Sequence, residues 1–230
     1  MSSGNFHFDA ATHTYTLGGR RLASVGEVIK RFKPPFDADY WADYKAKQRG
    51  VAVEVVKAEW AAKRDASCEA GTTLHEHARA VITGGKSSLA TPAAKAFDTW
   101  ADKSAKNLYV QAVEEPVWDA ELGIAGTPDL VARSFKTDKL HVLDWKTNGE
   151  FTTENAFGDQ MLPPFEDLPA CNLVEYSMQV SPYRMICERL YDEPFGDGWI
   201  LHVGETVTPH RALNLGKRLL AALEGGVKCA

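Results

Sequence analysis

Two carboxylates and a lysine stand at spacings that suit hydrolytic chemistry. Asp129 closes a Gly-Thr-Pro-Asp segment, and Asp144 opens an Asp-Trp-Lys-Thr segment that includes Lys146. Successive side chains of a strand point to opposite faces, so Asp144 and Lys146 share one face if this segment is a strand. A turn near residues 137–139 would place Asp129 close to Asp144 across the strand pair.

The apolar surroundings of Asp144 favour a metal site over an exposed charged strand. Val142, Leu143 and Trp145 flank the carboxylate, and a buried carboxylate is rare without a partner. Two buried carboxylates also repel each other unless a cation compensates. Mg²⁺ prefers oxygen ligands and keeps several waters, so two carboxylates and a substrate phosphate suit it. Lys146 would hold or deprotonate a water, or stabilise charge that develops on phosphorus.

The composition is that of an ordinary globular protein. The 230 residues are 44% hydrophobic, 25% charged and 10% aromatic, which excludes a mostly disordered chain, a collagen-like repeat and a coiled coil. No apolar run approaches the ~20 residues that span a bilayer, so no membrane association is expected. The N-terminus lacks the pattern of a secretory signal. The four cysteines form no C-x-x-C pair. Together with the lack of a signal pattern, their spacing predicts reduced thiols and a cytoplasmic location, in the host if the chain is phage-encoded.

The charge is unevenly distributed. The formal net charge is −5, and residues 101–200 carry 8 Lys and Arg against 18 Asp and Glu. An acidic middle is either a solvated face or a set of carboxylates gathered for a cation. The basic stretch 30–49, which includes Phe36, Tyr40 and Trp41, would follow a phosphate backbone and stack on a frayed end; an amphipathic core helix is the alternative.

The N-terminal third predicts a small hairpin followed by helices. Residues 6–9 and 13–17 alternate as strands, and a Gly-Gly turn precedes the segment 20–22. Ser24 suits a helix N-cap, with Glu27 completing a capping box. Helical patterns follow at 37–64, 69–83 and 92–106.

The remainder predicts strands and two long helices. Three strand patterns, joined by short turns that favour adjacent antiparallel strands, lie at 109–118, 124–132 and 140–145. They are followed by a helix at 171–191, a strand at 198–203 and a helix at 209–225. These elements predict an α/β (α+β) fold, with a central mixed β-sheet flanked by helices, a helical N-terminal extension and a small N-terminal β-hairpin.

The ordered motifs resemble the PD-(D/E)XK nuclease superfamily. Asp129, which is preceded by a proline, and the Asp144-x-Lys146 triplet match the superfamily signature. Upstream, the segment from Gly71 to His75 resembles the G-x-x-x-H motif of the RecB-like branch. The motifs occur in the order of that branch, which makes the set more specific than two acids and a lysine alone.

A fourth motif extends the resemblance toward the C-terminus. Gln179-x-x-x-Tyr183 resembles the Q-x-x-x-Y motif of the same branch, and residues four apart share a helix face. The resemblance implies a restriction-endonuclease-like core. It also implies a single nuclease domain over residues 1–230, with an N-terminal extension at 1–68 and the core at 69–230.

The resemblance implies a role for each matching position. The implied catalytic residues are Lys146, Asp144 and Asp129. The implied metal ligands are His75, Asp129, Asp144 and the backbone carbonyl of Trp145. The implied nucleic-acid contacts are Gln179, Tyr183 and Thr147. Further candidates are Glu69, because some members use a glutamate on this helix, and Glu115, because one of the adjacent Glu114 and Glu115 would face the site.

Two local ambiguities remain at this level. His77 adjoins His75, but helical rotation puts the two about 200° apart, so both should not serve one site. Pro182 either kinks the following helix or starts a new one with Ser181 as its cap. The register of the Q-x-x-x-Y motif therefore stays open.

The resemblance also implies a cofactor and partners. The expected cofactor is Mg²⁺ or Mn²⁺, and the expected partner is DNA, as linear duplex ends or single strands, with a recombination or single-strand-binding protein as a second partner. Some RecB-like nucleases hold an iron–sulfur cluster on one upstream cysteine and three near the C-terminus. The four cysteines here are spread differently, so no iron–sulfur cluster is expected; they are Cys68, Cys171, Cys187 and Cys229.

The expected function is that of a metal-dependent deoxyribonuclease, most like the compact phage-type recombination exonucleases. It would hydrolyse phosphodiester bonds with a metal-activated water. The alternative is a catalytically silent module of the same fold that binds DNA or protein. The intact D-x-K triplet favours the enzyme.

Overall fold

The chain forms two five-stranded sheets with six helices around them, in a computed structural model that describes residues 5–224. The helices are α1 Val25–Lys30, α2 Ala38–Arg49, α3 Val53–Ile82, α4 Pro92–Lys103, α5 Asn172–Tyr191 and α6 Gly216–Glu224. The strands are β1 Phe6–Asp9, β2 Thr14–Leu17, β3 Arg20–Ser24, β4 Leu108–Val113, β5 Val117–Asp119, β6 Ile124–Gly126, β7 Leu130–Ser134, β8 Leu140–Lys146, β9 Trp199–Val203 and β10 Val207–Arg211. The mixed α/β architecture agrees with the predicted fold class.

The larger sheet has the order β10-β9-β8-β7-β4. Its β4, β7 and β8 are antiparallel neighbours, as the sequence predicts, and β9 joins β8 in parallel, which makes the sheet mixed. Leu130 of β7 pairs with Leu143 of β8. The next positions along the two strands are therefore Asp129 and Asp144.

The smaller sheet has the order β1-β2-β3-β6-β5 and corrects the predicted arrangement. The hairpin is confirmed, but it is not isolated, because β3 pairs in parallel with β6. The predicted single strands 109–118 and 124–132 are wrong. Each is two strands in different sheets, broken before Pro116 and around Pro128, where proline cannot donate a ladder hydrogen bond.

The predicted helix boundaries at 64 and 69 are also wrong. The break falls earlier, at Gly50, whose left-handed conformation (φ 66°) ends α2. From there α3 continues unbroken for 30 residues, because residues 65–68 contain no glycine or proline. The predicted capping box of Ser24 and Glu27 at α1 is confirmed.

The C-terminal part differs in the same way. The predicted helix 209–225 is replaced by β10, which is antiparallel to β9, and by the shorter α6. Pro209 lies within β10, a position that proline tolerates because β10 is at the edge of its sheet. Residue 225 and Cys229 lie outside the described residues.

Helix α5 continues through Pro182, which is the first of the two predicted alternatives, a proline inside one helix. The alternative of a new helix that starts at Ser181 is wrong. It packs in the main apolar core with strands of both sheets and with α1 and α6. Tyr183 of α5 lies against Gly126 of β6 so closely that a β-carbon at position 126 would overlap the tyrosine ring. The absence of a side chain at Gly126 thus sets the distance between α5 and the small sheet.

Gly126→Ala is predicted to destabilise the protein by about 1–3 kcal/mol, because the added methyl group overlaps the Tyr183 ring. Gly204→Ala is the matched control, since a β-carbon there meets nothing within 4 Å, and it should change stability by less than about 0.5 kcal/mol. Urea unfolding measures both. Equal midpoints for the two variants would contradict the close contact.

Candidate functional site

Asp144 and Lys146 project from the same face of β8. Asp144 is only 1% exposed, and the Lys146 Nζ lies 2.7 Å from its Oδ2. This contact is an ion pair rather than an aligned hydrogen bond, and within the described residues neither oxygen of Asp144 has a hydrogen-bond partner. Burial alone would lower the pKa of Lys146, but the charges of Asp144 and Asp129 outweigh burial and raise it. Lys146 is thus held as an ammonium beside Asp144.

Asp129 lies beside Asp144 at the start of β7 and is also buried. Its Oδ2 accepts a hydrogen bond of 2.8 Å from the backbone N–H of Trp145. Burial raises the pKa of Asp129 to about 7, and the negative charge of Asp144 adds to this rise, while His75 and Lys146 oppose it. The two strands therefore bring the predicted carboxylates together, and the higher proton affinity of Asp129 relieves part of the repulsion between them.

His75 reaches the carboxylates of Asp129 and Glu114 from α3. Its Nδ1 lies 3.5 Å from Asp129 Oδ1 and 3.6 Å from Glu114 Oε1. Burial acts to lower the pKa of His75, but the contact with Glu114 and the charges of Asp129 and Asp144 raise it overall. The structure thus brings together the histidine, both aspartates and the lysine that the sequence motifs single out.

Glu114, rather than Glu115, is the glutamate at the site. Its backbone N–H donates to the carbonyl of Asp129 at 3.0 Å, and its Oε2 lies 3.9 Å from Arg79 Nη1. Glu115 is exposed. Glu114 has φ 49°, a conformation uncommon for a residue other than glycine and often found at functional sites. No sequence pattern separates the two adjacent glutamates.

His77 has a structural role. It is 3% exposed, and its ring nitrogens lie 2.9 Å from Ser87 Oγ and 2.9 Å from Asp98 Oδ1. These partners are on the opposite side of α3 from the carboxylates. The helical-rotation argument that only one of the two histidines serves the site agrees with this geometry.

Gln179 and Tyr183 share the face of α5 that approaches the site. The Gln179 Nε2 donates to the Tyr183 Oη at 3.3 Å, so the four-residue register persists despite Pro182. Tyr183 is 5% exposed, and burial together with the nearby Asp144 charge raises its pKa. Their contact with a nucleic-acid strand stays a prediction.

Thr147 and Glu69 lie elsewhere. Both line a cleft of about 570 Å³ between α3, the start of α4 and the end of β9, whose lining includes none of the residues that surround Asp144. Glu69 is exposed and does not join the carboxylate cluster. Its candidacy as a ligand in that cluster is not supported by its position.

Trp145 separates the site from the apolar core beneath it. Its indole is fully buried on the face of β8 opposite Asp144, where it packs with Leu74 and Phe97. The His75 ring lies 5.9 Å from the indole in an edge-on arrangement. This packing anchors both β8 and α3, while the role of the Trp145 carbonyl as a ligand stays a prediction.

The N-terminal hairpin also reaches the site, which the sequence did not indicate. Tyr15 is 1% exposed, and its Oη lies 3.0 Å from Thr127 Oγ1, two residues before Asp129. His13 Nε2 lies 3.2 Å from the Tyr15 Oη. The segment that carries Asp129 is therefore held between β7 and the hairpin.

The basic stretch 30–49 offers fewer free cations than its composition suggests. Ion pairs join Lys33 to Glu175, Lys47 to Asp43 and Arg49 to Glu59. Phe36 and Tyr40 are largely exposed, whereas Trp41 is half-buried. Of the cysteines within the described residues, Cys68 is exposed, and Cys171 and Cys187 are buried.

The cluster is not a ready-made metal cage. Among residues 5–224, no three His, Cys, Asp or Glu side chains are placed to hold an ion without rearrangement, and Lys146 occupies the cation position beside Asp144. The donors nevertheless fit a hard divalent cation, because the buried oxygens of Asp144 lack hydrogen bonds within the described residues and carboxylates with an imidazole suit Mg²⁺ or Mn²⁺.

Asp129→Asn is predicted to change the pH dependence of stability in EDTA. Because the pKa of Asp129 is about 7 in the folded protein and lower in the unfolded chain, the folded state binds the extra proton, and this group's contribution to stability falls between about pH 4 and pH 7. Asparagine does not titrate, so the variant does not lose this contribution to stability as the pH rises. The difference in free energy of unfolding, variant minus wild type, should therefore increase by about 2 kcal/mol when the pH is raised from 5 to 8.

Urea unfolding of both proteins at the two pH values measures this difference. Parallel pH profiles would contradict the raised pKa of Asp129. Asp138→Asn, at an exposed carboxylate, provides a second comparison, and its pH profile should match that of wild type.

His75→Ala and His77→Ala are predicted to have opposite effects. His77→Ala should cost about 1–3 kcal/mol, because it leaves Asp98 and Ser87 without their buried partner, and should spare binding of Mn²⁺. His75→Ala should weaken Mn²⁺ binding and cost less stability. Thermal unfolding and calorimetric titration separate the two, and a Mn²⁺ affinity that falls only for His77→Ala would contradict the assignment.

Within the described residues, no helix is both long and apolar enough to cross a membrane.

The comparison with known proteins does not extend this description. Comparison of the whole chain with protein-family models and with curated proteins finds no match.

Proposed function

We propose that the protein is a Mg²⁺- or Mn²⁺-dependent deoxyribonuclease, an exonuclease of DNA recombination, repair or phage DNA processing. The observation that carries this proposal is the burial of Asp129 and Asp144 on neighbouring strands beside Lys146. Two adjacent buried carboxylates are unfavourable unless a cation repays their desolvation. A function that requires a cation accounts for their presence.

The element order supports a restriction-endonuclease-like core for this site. A helix with His75, the antiparallel strands β4, β7 and β8, and then α5 follow one another in the chain. Strand β9 adds in parallel beside β8. The histidine, the carboxylates and the Gln179–Tyr183 pair stand on this framework in the order that the PD-(D/E)XK resemblance implies.

His75, Asp129 and Asp144 would hold the divalent ion, with the carbonyl of Trp145 as a further oxygen ligand. When bound, the ion supplies Lewis-acid activation of the attacking water and offsets negative charge at phosphorus. The residues of the chain bind and orient the DNA strand around it. Gln179 and Tyr183 would contact that strand from α5, whereas Thr147 lines the separate cleft beside α3.

Lys146 would act on the reacting phosphate. Its ammonium, now paired with Asp144 Oδ2, can donate hydrogen bonds from Nζ to a phosphate oxygen as charge develops there. The same ammonium balances the two carboxylates when no substrate is present. The lysine thus serves both the empty and the substrate-bound site.

Asp144→Asn and Lys146→Ala are predicted to reduce Mg²⁺-dependent cleavage of linear DNA at least 100-fold, since the first weakens a ligand of the ion and the second removes the ammonium that acts on the reacting phosphate. Asp138→Asn is the control, because it changes an exposed carboxylate in the turn between β7 and β8. The backbone of Asp138 is left-handed, a conformation that asparagine also tolerates. The assay compares end-labelled linear with closed circular DNA in Mg²⁺, Mn²⁺ and EDTA. Cleavage that persists unchanged in Asp144→Asn would defeat the proposal.

Calorimetric titration with Mn²⁺ tests the alternative of a catalytically silent module. Binding that requires Asp144 supports the enzyme. Failure of Mn²⁺ to bind, with and without DNA, would favour the module, which would then recognise DNA or protein without hydrolysis.

A further inference from the structure

Helix α5 presents a third residue to the candidate site, outside the Q-x-x-x-Y motif. Tyr176 lies three residues before Gln179 and seven before Tyr183, so the helical period puts all three on one face. The ring of Tyr176 lies 5.1 Å from the Lys146 Nζ, with the ammonium over the ring. This distance is within the range of a cation–π interaction.

The Lys146 ammonium therefore has two supports of different kind. One is the carboxylate of Asp144, 2.7 Å from Nζ, and the other is the face of the Tyr176 ring. The Phe151 ring stands 6.0 Å from the Tyr176 ring. Tyr176 is half-buried, and partial desolvation strengthens attraction between a cation and a ring.

The two supports differ in what binding of an ion does to them. Asp144 is also a candidate ligand, and a carboxylate that binds a divalent cation attracts a neighbouring ammonium less strongly. The ring of Tyr176 is no ligand for a hard cation, so its attraction for the ammonium persists. It would keep Nζ beside the carboxylates when Asp144 no longer does.

We propose that Tyr176 is a positioning residue for Lys146, and that its aromatic ring rather than its hydroxyl performs this role. This inference rests on the proposed nuclease function, in which Lys146 acts on the phosphate. It adds a residue that the sequence motifs do not include. It also assigns the ring a role in catalysis but not in binding of the ion.

The test compares variants that keep or remove the ring. Tyr176→Phe keeps it, and kcat on linear DNA should stay within about twofold of wild type. Tyr176→Leu removes it, and kcat should fall about 5- to 30-fold with KM unchanged. Tyr191→Leu is the control on the same helix, since that ring packs on Phe195; it should leave kcat unchanged.

Two further measurements do not depend on turnover. The affinity for Mn²⁺ should be equal in wild type, Tyr176→Phe and Tyr176→Leu, because the ring contacts the lysine and is no ligand for a hard cation. In NMR spectra, the ring current should shift the ε-methylene protons of Lys146 upfield in wild type and Tyr176→Phe, but not in Tyr176→Leu. If Tyr176→Leu does not fold, Tyr176→Met serves as the ring-free variant.

The outcomes separate this inference from the proposed function. If wild type cleaves DNA and Tyr176→Leu has the same kcat, the inference about Tyr176 is overturned and the proposed function stands. A loss of kcat as large in Tyr176→Phe as in Tyr176→Leu would also overturn it, by assigning the role to the hydroxyl. A wild-type protein that shows no metal-dependent cleavage would overturn the proposed function, and the role in catalysis with it.

Discussion

The placement of two buried carboxylates on adjacent strands is the constraint around which the rest of the site is arranged. Asp129 and Asp144 occupy neighbouring positions of β7 and β8, and both are almost fully buried. Their repulsion is offset by three separate means: the Lys146 ammonium, the His75 imidazole and the backbone N–H of Trp145. Burial and the charge of Asp144 still raise the pKa of Asp129.

The surrounding elements hold these groups from several directions. Helix α3 is fixed by Leu74 and by the buried His77 on its other face, so His75 is carried by a rigid helix rather than a loop. The turn at Glu114 is tied to Asp129 through the main chain. The hairpin holds the same segment through Tyr15. The side chains of the candidate site thus stand on elements that other residues also hold in place.

Local patterns predicted the parts of the site that depend on one or two strands. Alternation placed Asp144 and Lys146 on one face, and the short turn implied that Asp129 lies beside them. Longer-range features were not readable. The parallel pairing of β3 with β6 joins segments distant in sequence, and the choice of Glu114 over Glu115 depends on a positive φ. The edge strand β10 was missed because Pro209 argues against a strand unless its edge position is known.

The pairing of β3 with β6 has a consequence for how the chain is made. Ala23 finds its partner Ile124 only after about 100 further residues have been synthesised, and contacts this distant in sequence slow folding. As translation proceeds, the nascent hairpin waits with one strand edge unpaired, a state exposed to association with other chains. Assembly of the segment that carries Asp129 is thereby linked to closure of a sheet that begins at the amino terminus. The site can be completed only late in synthesis.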